Sequence, residues 1–237
     1  MKHKIIAVIC AMDIELEGYK NLLCNSCVEQ IIGHEFLVGD YLDNKLVITK
    51  CGIGKVNAAW ITMLLVEHYN PDLVINSGIA GGYSKQLKTL DVVVAEDVVY
   101  SDVDMTTDAF TDLRYGQLQD FPLTFKADEQ IVKQIRNLSL MNKVYFGTIM
   151  TGDQFVTDYR KTDKLVSEHF SDLNVLACDM ESCAVAHICY LTKTKFIIVR
   201  SISDIIGSSD GFDYQTFAPI AAKNATDLVN YIIKEIK

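Results

Sequence analysis

Proline and arginine are scarce in this chain of 237 residues, which has three prolines and carries arginine only at positions 114, 136, 160 and 200. So few prolines and no low-complexity run argue against a tailed or linker-joined architecture. A hydrophobic fraction of 49% argues for a compact globule. Four guanidinium groups against a formal charge of −9 leave no surface suited to nucleic acid. No apolar run is long enough to span a membrane. The basic start Met1 to Lys4 and the apolar run Ile5 to Met12 superficially resemble a secretory leader, but Asp13 and Glu15 end the run early and no small-residue cleavage site follows. The segment is read as the first strand of a cytoplasmic protein. The length fits one α/β domain spanning residues 1–237.

Several chemical signatures are also missing. The five histidines, at 3, 34, 68, 169 and 187, are not paired at ligand spacing, so no metal site is expected. There is no GxSxG elbow and no Cys/His nucleophile arrangement. Seven cysteines are an odd number, and Cys10, Cys51, Cys178, Cys183 and Cys189 sit in apolar segments that suit reduced, buried thiols. Cys24-Asn-Ser-Cys27 has redox-like or metal-like spacing, but lacks a second pair and a strand-to-helix context of the redox type.

What the chain does contain is a series of apolar strands that stop at polar tips. Phe196 to Val199 reads as a strand buried on both faces, and Arg200, Ser201, Ser203 and Asp204 arrive where it should end. Ligands in open α/β sheets bind outside the carboxyl ends of strands, which makes that tip a site candidate. Leu73 to Gly82 repeats the pattern, ending in Ile79, Ala80 and Gly81; its glycines lack the phosphate-cradling spacings and fit a neutral sugar or base. Lys143 to Met150 runs into Gly152-Asp-Gln-Phe155 and Val156. Lys4 to Met12 leads into a helix over Ile14 to Leu23, with Glu15 in its first turn, where a carboxylate ordinarily complements the helix dipole. Val175 to Met180 precedes an almost wholly apolar helix headed by Glu181. Glu181 either caps that helix or does chemistry, and Asp179 carries the same ambiguity.

The remaining pattern predicts a hairpin of Glu35 to Tyr41 with Lys45 to Cys51, and helices over Val56 to Tyr69, Asp128 to Leu138 and Thr162 to Phe170. It also predicts a strand over Asp91 to Tyr100, an irregular aromatic-bearing stretch from Ser101 to Lys126, and a last helix over Tyr214 to Ile236 with Pro219 in its first turns.

Taken in order, Ala11-Met12…Glu15, Gly52-Ile-Gly-Lys-Val56, Asn76-Ser-Gly-Ile-Ala-Gly-Gly82, Tyr115-Gly-Gln-Leu118, Phe125-Lys-Ala-Asp128, Gly152-Asp-Gln-Phe155, Asp179-Met-Glu181, Arg200-Ser-Ile-Ser-Asp204 and Ala221-Ala-Lys223 span essentially the whole chain. In this order and spacing the sequence resembles the methylthioadenosine/S-adenosylhomocysteine nucleosidases of the purine nucleoside phosphorylase superfamily. The resemblance implies an α/β fold of three layers, α/β/α, around a central twisted mixed β-sheet. It also implies a homodimer, and hydrolysis of the bond between adenine and a 5′-thio-substituted ribose, without cofactor or metal.

By family position, Asp204 would be the general acid toward adenine N7, which requires that it hold a proton near neutral pH. Glu15 would orient and deprotonate the attacking water, assisted by Arg200, and Glu181 would bond the ribose hydroxyls with Met180 packed on the sugar. Phe155 would stack on adenine, the Val156 backbone would read its edge, and Ser203 would place Asp204. Met12, Ile79, Ala80, Gly81, Asp179 and Tyr214 would complete the substrate site. Three positions depart from the family pattern. Ile79 stands where relatives often carry a hydroxyl residue, Asp179 where glutamate is commoner, and Tyr214 where phenylalanine often borders the 5′ pocket. The loop over Thr106 to Leu113 is also long for the family. A phosphate-dependent phosphorylase would need a cationic cradle, which only Arg200 could begin to supply. A non-catalytic nucleoside sensor would have no use for all of Glu15, Glu181 and Asp204. Related substrates such as 5′-deoxyadenosine or aminofutalosine are not separated by these motifs.

Overall fold

The computed structural model describes residues 4–138, 143–208 and 211–235; His3 and the expected helix end at Ile236 lie outside the described residues. Among these, ten strands join one mixed sheet. Its parallel centre is β1 (Ile5–Cys10), β5 (Leu73–Gly82) and β10 (Phe196–Ile205), whose Val- and Ile-rich runs are buried on both faces. β1 lies between β5 and β4 (Asn44–Lys50), parallel to both. From β4 the sheet continues antiparallel through β3 (His34–Tyr41) to the edge strand β2 (Cys24–Ile31).

On its other side the sheet closes on itself. β10 pairs with both β5 and β6 (Val92–Tyr100), β6 with β8 (Val144–Thr151), β8 with β9 (Val175–Asp179), and β9 returns antiparallel to β5. Register shifts in β6, β9 and β10 accompany this curvature, as bulges bend a strand and raise its local twist. The short β7 (Thr124–Lys126) adds to β6.

Helices cover both faces, giving the expected three layers. α1 (Asp13–Lys20) and α6 (Gly211–Glu235) pack together on the side of β5 and β10, while α2 (Lys55–Tyr69) and α5 (Ser182–Thr192) pair on the opposite side. α3 (Glu129–Arg136) and α4 (Tyr159–His169) are each started by an aspartate. Asp128 Oδ1 accepts from the Ile131 amide at 2.9 Å, and Asp158 Oδ1 accepts from the Arg160 amide at 3.0 Å. Among the described residues no helix is long and apolar enough to cross a membrane.

The structure differs from the sequence reading at several boundaries. The first strand ends at Cys10 rather than Met12, because the Ala11 and Met12 amides turn toward Glu15. The first helix stops at Lys20 rather than Leu23, and the chain then enters β2, which shows no apolar alternation because almost all of it is exposed. Within the stretch read as irregular, β7 forms and the aromatics are pinned: Tyr115 stacks on His169 at 4.3 Å, and Phe121 and Phe125 meet His187 at 4.4 and 4.7 Å. The last helix begins at Gly211 rather than Tyr214, which sets Pro219 about one turn further into it than expected.

Candidate active site

A cleft opens at the carboxyl ends of β1, β5, β9 and β10, as expected for an α/β sheet. Glu15 forms its floor. The turn after β1 sets Ala11 and Met12 so that their amides donate to Glu15 Oε2 at 2.8 and 3.0 Å, and the Ile79 amide donates to Oε1 at 2.9 Å. Glu15 therefore combines the two readings left open by the sequence: it reaches back to the amides at the head of its own helix, and it faces the cleft. Burial raises its pKa, with Arg200 and the three amides opposing that rise.

Arg200 lies one layer below the cleft, fully buried. Its Nε pairs with Asp179 Oδ2 at 2.9 Å and its Nη2 with Glu181 Oε2 at 3.4 Å. Nη2 also donates to Asn76 Oδ1 at 2.6 Å and to Ser182 Oγ at 3.1 Å. Burial works against its charge, but Asp179, Glu181 and Glu15 outweigh that and hold it protonated. Nη1 has no hydrogen-bond partner among the described residues and lies with the Glu15 carboxylate in the space that a Cβ on Gly78 would take.

Glu181 does not cap α5: it occupies the N-cap position without a side-chain capping bond. Its Oε1 instead accepts from the Gly54 amide at 3.0 Å, tying the loop before α2 to the cleft. Burial lifts its pKa to about 7, Arg200 pulling it down and Asp179 pushing it up. Asp179 lines the cleft, yet its side chain is 1% exposed and its carboxylate is taken up by Arg200, by Thr151 Oγ1 at 2.6 Å and by Ser182. Its place is behind the site, holding Arg200.

Asp204 owes its aim to a bulge. β10 keeps register with β5 up to Ile202 opposite Ala80, then Asp204 pairs with Gly81, so Ser203 is the extra residue. Ser203 Oγ donates to Asp204 Oδ1 at 2.6 Å. Ala80 and Gly81 line the wall beside it with Val156 and Met180. Phe155 stands 60% exposed at the mouth, edge-on to Tyr214 at 5.4 Å. The Tyr214 hydroxyl is directed at Met12 Sδ, 3.7 Å away. Ile79 keeps a polar contact through its amide while its side chain packs with Ala218, Ala221 and Ala222, so this wall is apolar.

The cleft thus gathers Glu15, Glu181, Asp204 and all ten expected substrate residues, and leaves Arg200 beneath them. Sequence reasoning did not assign Asn76, Ser182, Thr151 and Gly54. The available signal was a polar side chain, Asn76 or Ser182, inside an otherwise apolar buried segment.

The sequence pattern of the phosphorylase superfamily matches residues 5–234. A 5′-methylthioadenosine/S-adenosylhomocysteine nucleosidase of Bacillus subtilis is 41% identical, with 98% of this chain and 99% of the relative covered. The chain belongs to this nucleosidase family of the phosphorylase superfamily. The nucleosidase of Colwellia psychrerythraea, solved in complex with adenine, superposes with a TM-score of 0.91 at 33% identity over 100% of this chain and 97% of its own. That of Streptococcus pneumoniae, solved with a transition-state inhibitor, gives 0.90 at 30% identity over 98% and 100%. The fold expected of a nucleosidase is therefore the fold observed.

Among the glycines bordering this nucleosidase site, Gly78 leaves the least room for a side chain. A Cβ there would collide with both Arg200 Nη1 and the Glu15 carboxylate. Gly78→Ala should cost roughly 1–3 kcal/mol in denaturant unfolding and should lower catalytic turnover more than substrate affinity. Wild-type turnover in this variant would show that the Glu15–Arg200 spacing does not matter.

Proposed function

We propose that this protein hydrolyses the N-glycosidic bond of 5′-methylthioadenosine and S-adenosylhomocysteine, releasing adenine and the 5′-thio-substituted ribose. The observation that carries the reading is the set of three carboxylates, Glu15, Glu181 and Asp204, held in one largely apolar cleft. Breaking this bond builds positive charge on the ribose and negative charge on the departing base, so a proton must reach adenine as water attacks the sugar. Asp204, steadied by Ser203, is assigned the proton donation toward N7. Glu15 has both oxygens anchored by amides and is assigned the water, which it orients and deprotonates as the sugar charge grows. Glu181, with one oxygen on the Gly54 amide, is assigned the ribose hydroxyls, with Met180 against the sugar. Phe155 and the Val156 backbone are assigned adenine, and Met12, Ile79 and Tyr214 the 5′ substituent.

A phosphorylase reading fits the cleft poorly. No lysine or arginine lines it among the described residues, and Arg200 is buried with Asp179 and Glu181 as partners. Phosphate placed near Glu15 would meet a carboxylate. We read residues 1–237 as one domain because every described strand belongs to one sheet. The buried thiols suit a cytoplasmic setting, where methionine salvage would use the thio-sugar product.

The protein is also proposed to act as a homodimer. Ile53, at the cleft mouth, continues into Val56, Trp60 and Met63 of α2, four apolar side chains at least 39% exposed and spaced along one helical face. A second copy seated on this stripe would border the 5′ end of the site. Trp60→Glu should convert a sedimenting dimer to monomer and raise the Michaelis constant; an unchanged sedimentation coefficient would remove this surface from the interface.

Purified protein given 5′-methylthioadenosine should release adenine at a rate indifferent to added phosphate, with free methylthioribose as co-product. Asp204→Asn should lower that turnover roughly 10²–10⁴-fold while still binding a non-hydrolysable analogue. Strict phosphate dependence and a ribose 1-phosphate product would overturn the assignment.

A further inference from the structure

Cys24 and Cys27 are the two exposed cysteines, and the nucleosidase chemistry makes no use of them. In a regular strand, residues three apart point to opposite faces and lie about 10 Å from each other. Here the edge strand carries a bulge between them. Cys24 pairs with Asp40 and Cys27 with Val38, so three steps along β2 match two along β3. Asn25 takes a left-handed φ of 50°, and its side chain donates to Asp40 Oδ2 at 3.1 Å. The bulge puts both cysteines on one face.

Two neighbours confirm which face. A Cβ on Gly39 would lie 3.0 Å from Leu23 Cβ and 3.1 Å from Ser26 Cβ, so those two side chains share the side of β3 opposite Val38 and Asp40. Ser26 and Val28 line a groove against Leu16 and Lys20 of α1. Cys27 and Glu29 face the other way, and Glu29 accepts from the Tyr69 hydroxyl of α2 at 2.9 Å. Cys24, opposite Asp40, shares that side. Partners two residues apart on β3 are roughly 6.6 Å apart, within the Cα separation of about 4.4–6.8 Å that a disulfide spans.

We propose that Cys24 and Cys27 form a vicinal dithiol on the edge strand that reacts with small-molecule disulfides and closes to an internal disulfide. One thiolate attacks the small disulfide, forming a mixed disulfide and releasing one small thiol. The second cysteine thiolate then attacks the protein sulfur of that mixed disulfide, forming the Cys24–Cys27 bond and releasing the second small thiol. The protein dithiol is oxidised by two electrons, the small disulfide is reduced, and the two cysteine protons end on the released thiols. The other five cysteines do not compete. All are buried, and burial pushes the Cys51 thiol up to about 12 and raises Cys10, Cys178, Cys183 and Cys189 as well, so they stay protonated and unreactive.

The test is incubation of the full-length protein with oxidised glutathione, followed by intact mass and non-reducing peptide mapping. The wild type should lose two hydrogens, carry no adduct and yield a Cys24–Cys27 linked peptide. Cys24→Ser and Cys27→Ser should each accumulate one glutathionyl group, having no second thiol to resolve it, and the double variant should stay unmodified. Wild type that retains two glutathionyl groups, or that stays fully reduced while the single variants react, would overturn the proposal.

Discussion

One fully buried guanidinium governs the architecture of this site. Removing an arginine from water costs several kcal/mol even after relaxation, and the chain meets that cost with Asp179 and Glu181 as ion partners and Asn76 and Ser182 as hydrogen-bond partners. Those residues come from β9, its junction with α5, and β5, so satisfying one charge fixes the relative placement of three elements around the cleft floor. Gly78 is drawn into the same constraint, because only a residue without Cβ leaves Glu15 and Arg200 facing each other. The same network sets a protonation state. Arg200 cannot neutralise Asp179, Glu181 and Glu15 together, and the burial of Glu181 leaves its carboxyl titrating about 7. Because Glu181 binds its proton more tightly when folded than when unfolded, its contribution to stability is fullest below the ordinary carboxylate range and is lost as pH rises toward 7.

The cleft above that floor divides its labour by how each carboxylate is held. Glu15 is anchored through both oxygens, Glu181 through one backbone amide and an arginine, and Asp204 is aimed by a bulge and a serine hydroxyl. Preorganised groups of this kind need little rearrangement when charge develops on a substrate. The apolar wall of Ile79 and the α6 alanines leaves the carboxylates as the dominant polar features of the site.

Much of this was legible from strands that end in polar tips. Arg200 to Asp204, Gly78 to Gly82 and the Asp179–Glu181 segment all converge, because apolar runs buried on both faces must lie at the sheet centre and their polar ends must meet at one edge. Depth was not legible. Arg200 reads as a tip residue but sits beneath the cleft, since nothing local announces that Asn76 and Ser182, distant in sequence, will solvate it. The closure of the sheet between β5 and β10 was hidden for the same reason, as long-range pairing leaves no periodic trace. β2 escaped notice because an exposed edge strand shows no apolar alternation. The bulges that aim Asp204 and align Cys24 with Cys27 are likewise features of pairing rather than of composition.

The network around Arg200 is most directly read at Glu181, whose carboxyl is pushed up to about 7 by burial and by Asp179 against the pull of Arg200. The direct measurement is a titration of the Glu181 carboxyl by carbon-13 NMR, with Glu181→Gln used to assign the signal. A midpoint about 7, moving downward in Asp179→Asn as the competing charge is removed, is the result the network requires. A midpoint near the ordinary glutamate value, unmoved by Asp179→Asn, would mean that burial and the competing charge of Asp179 do not set the state of Glu181.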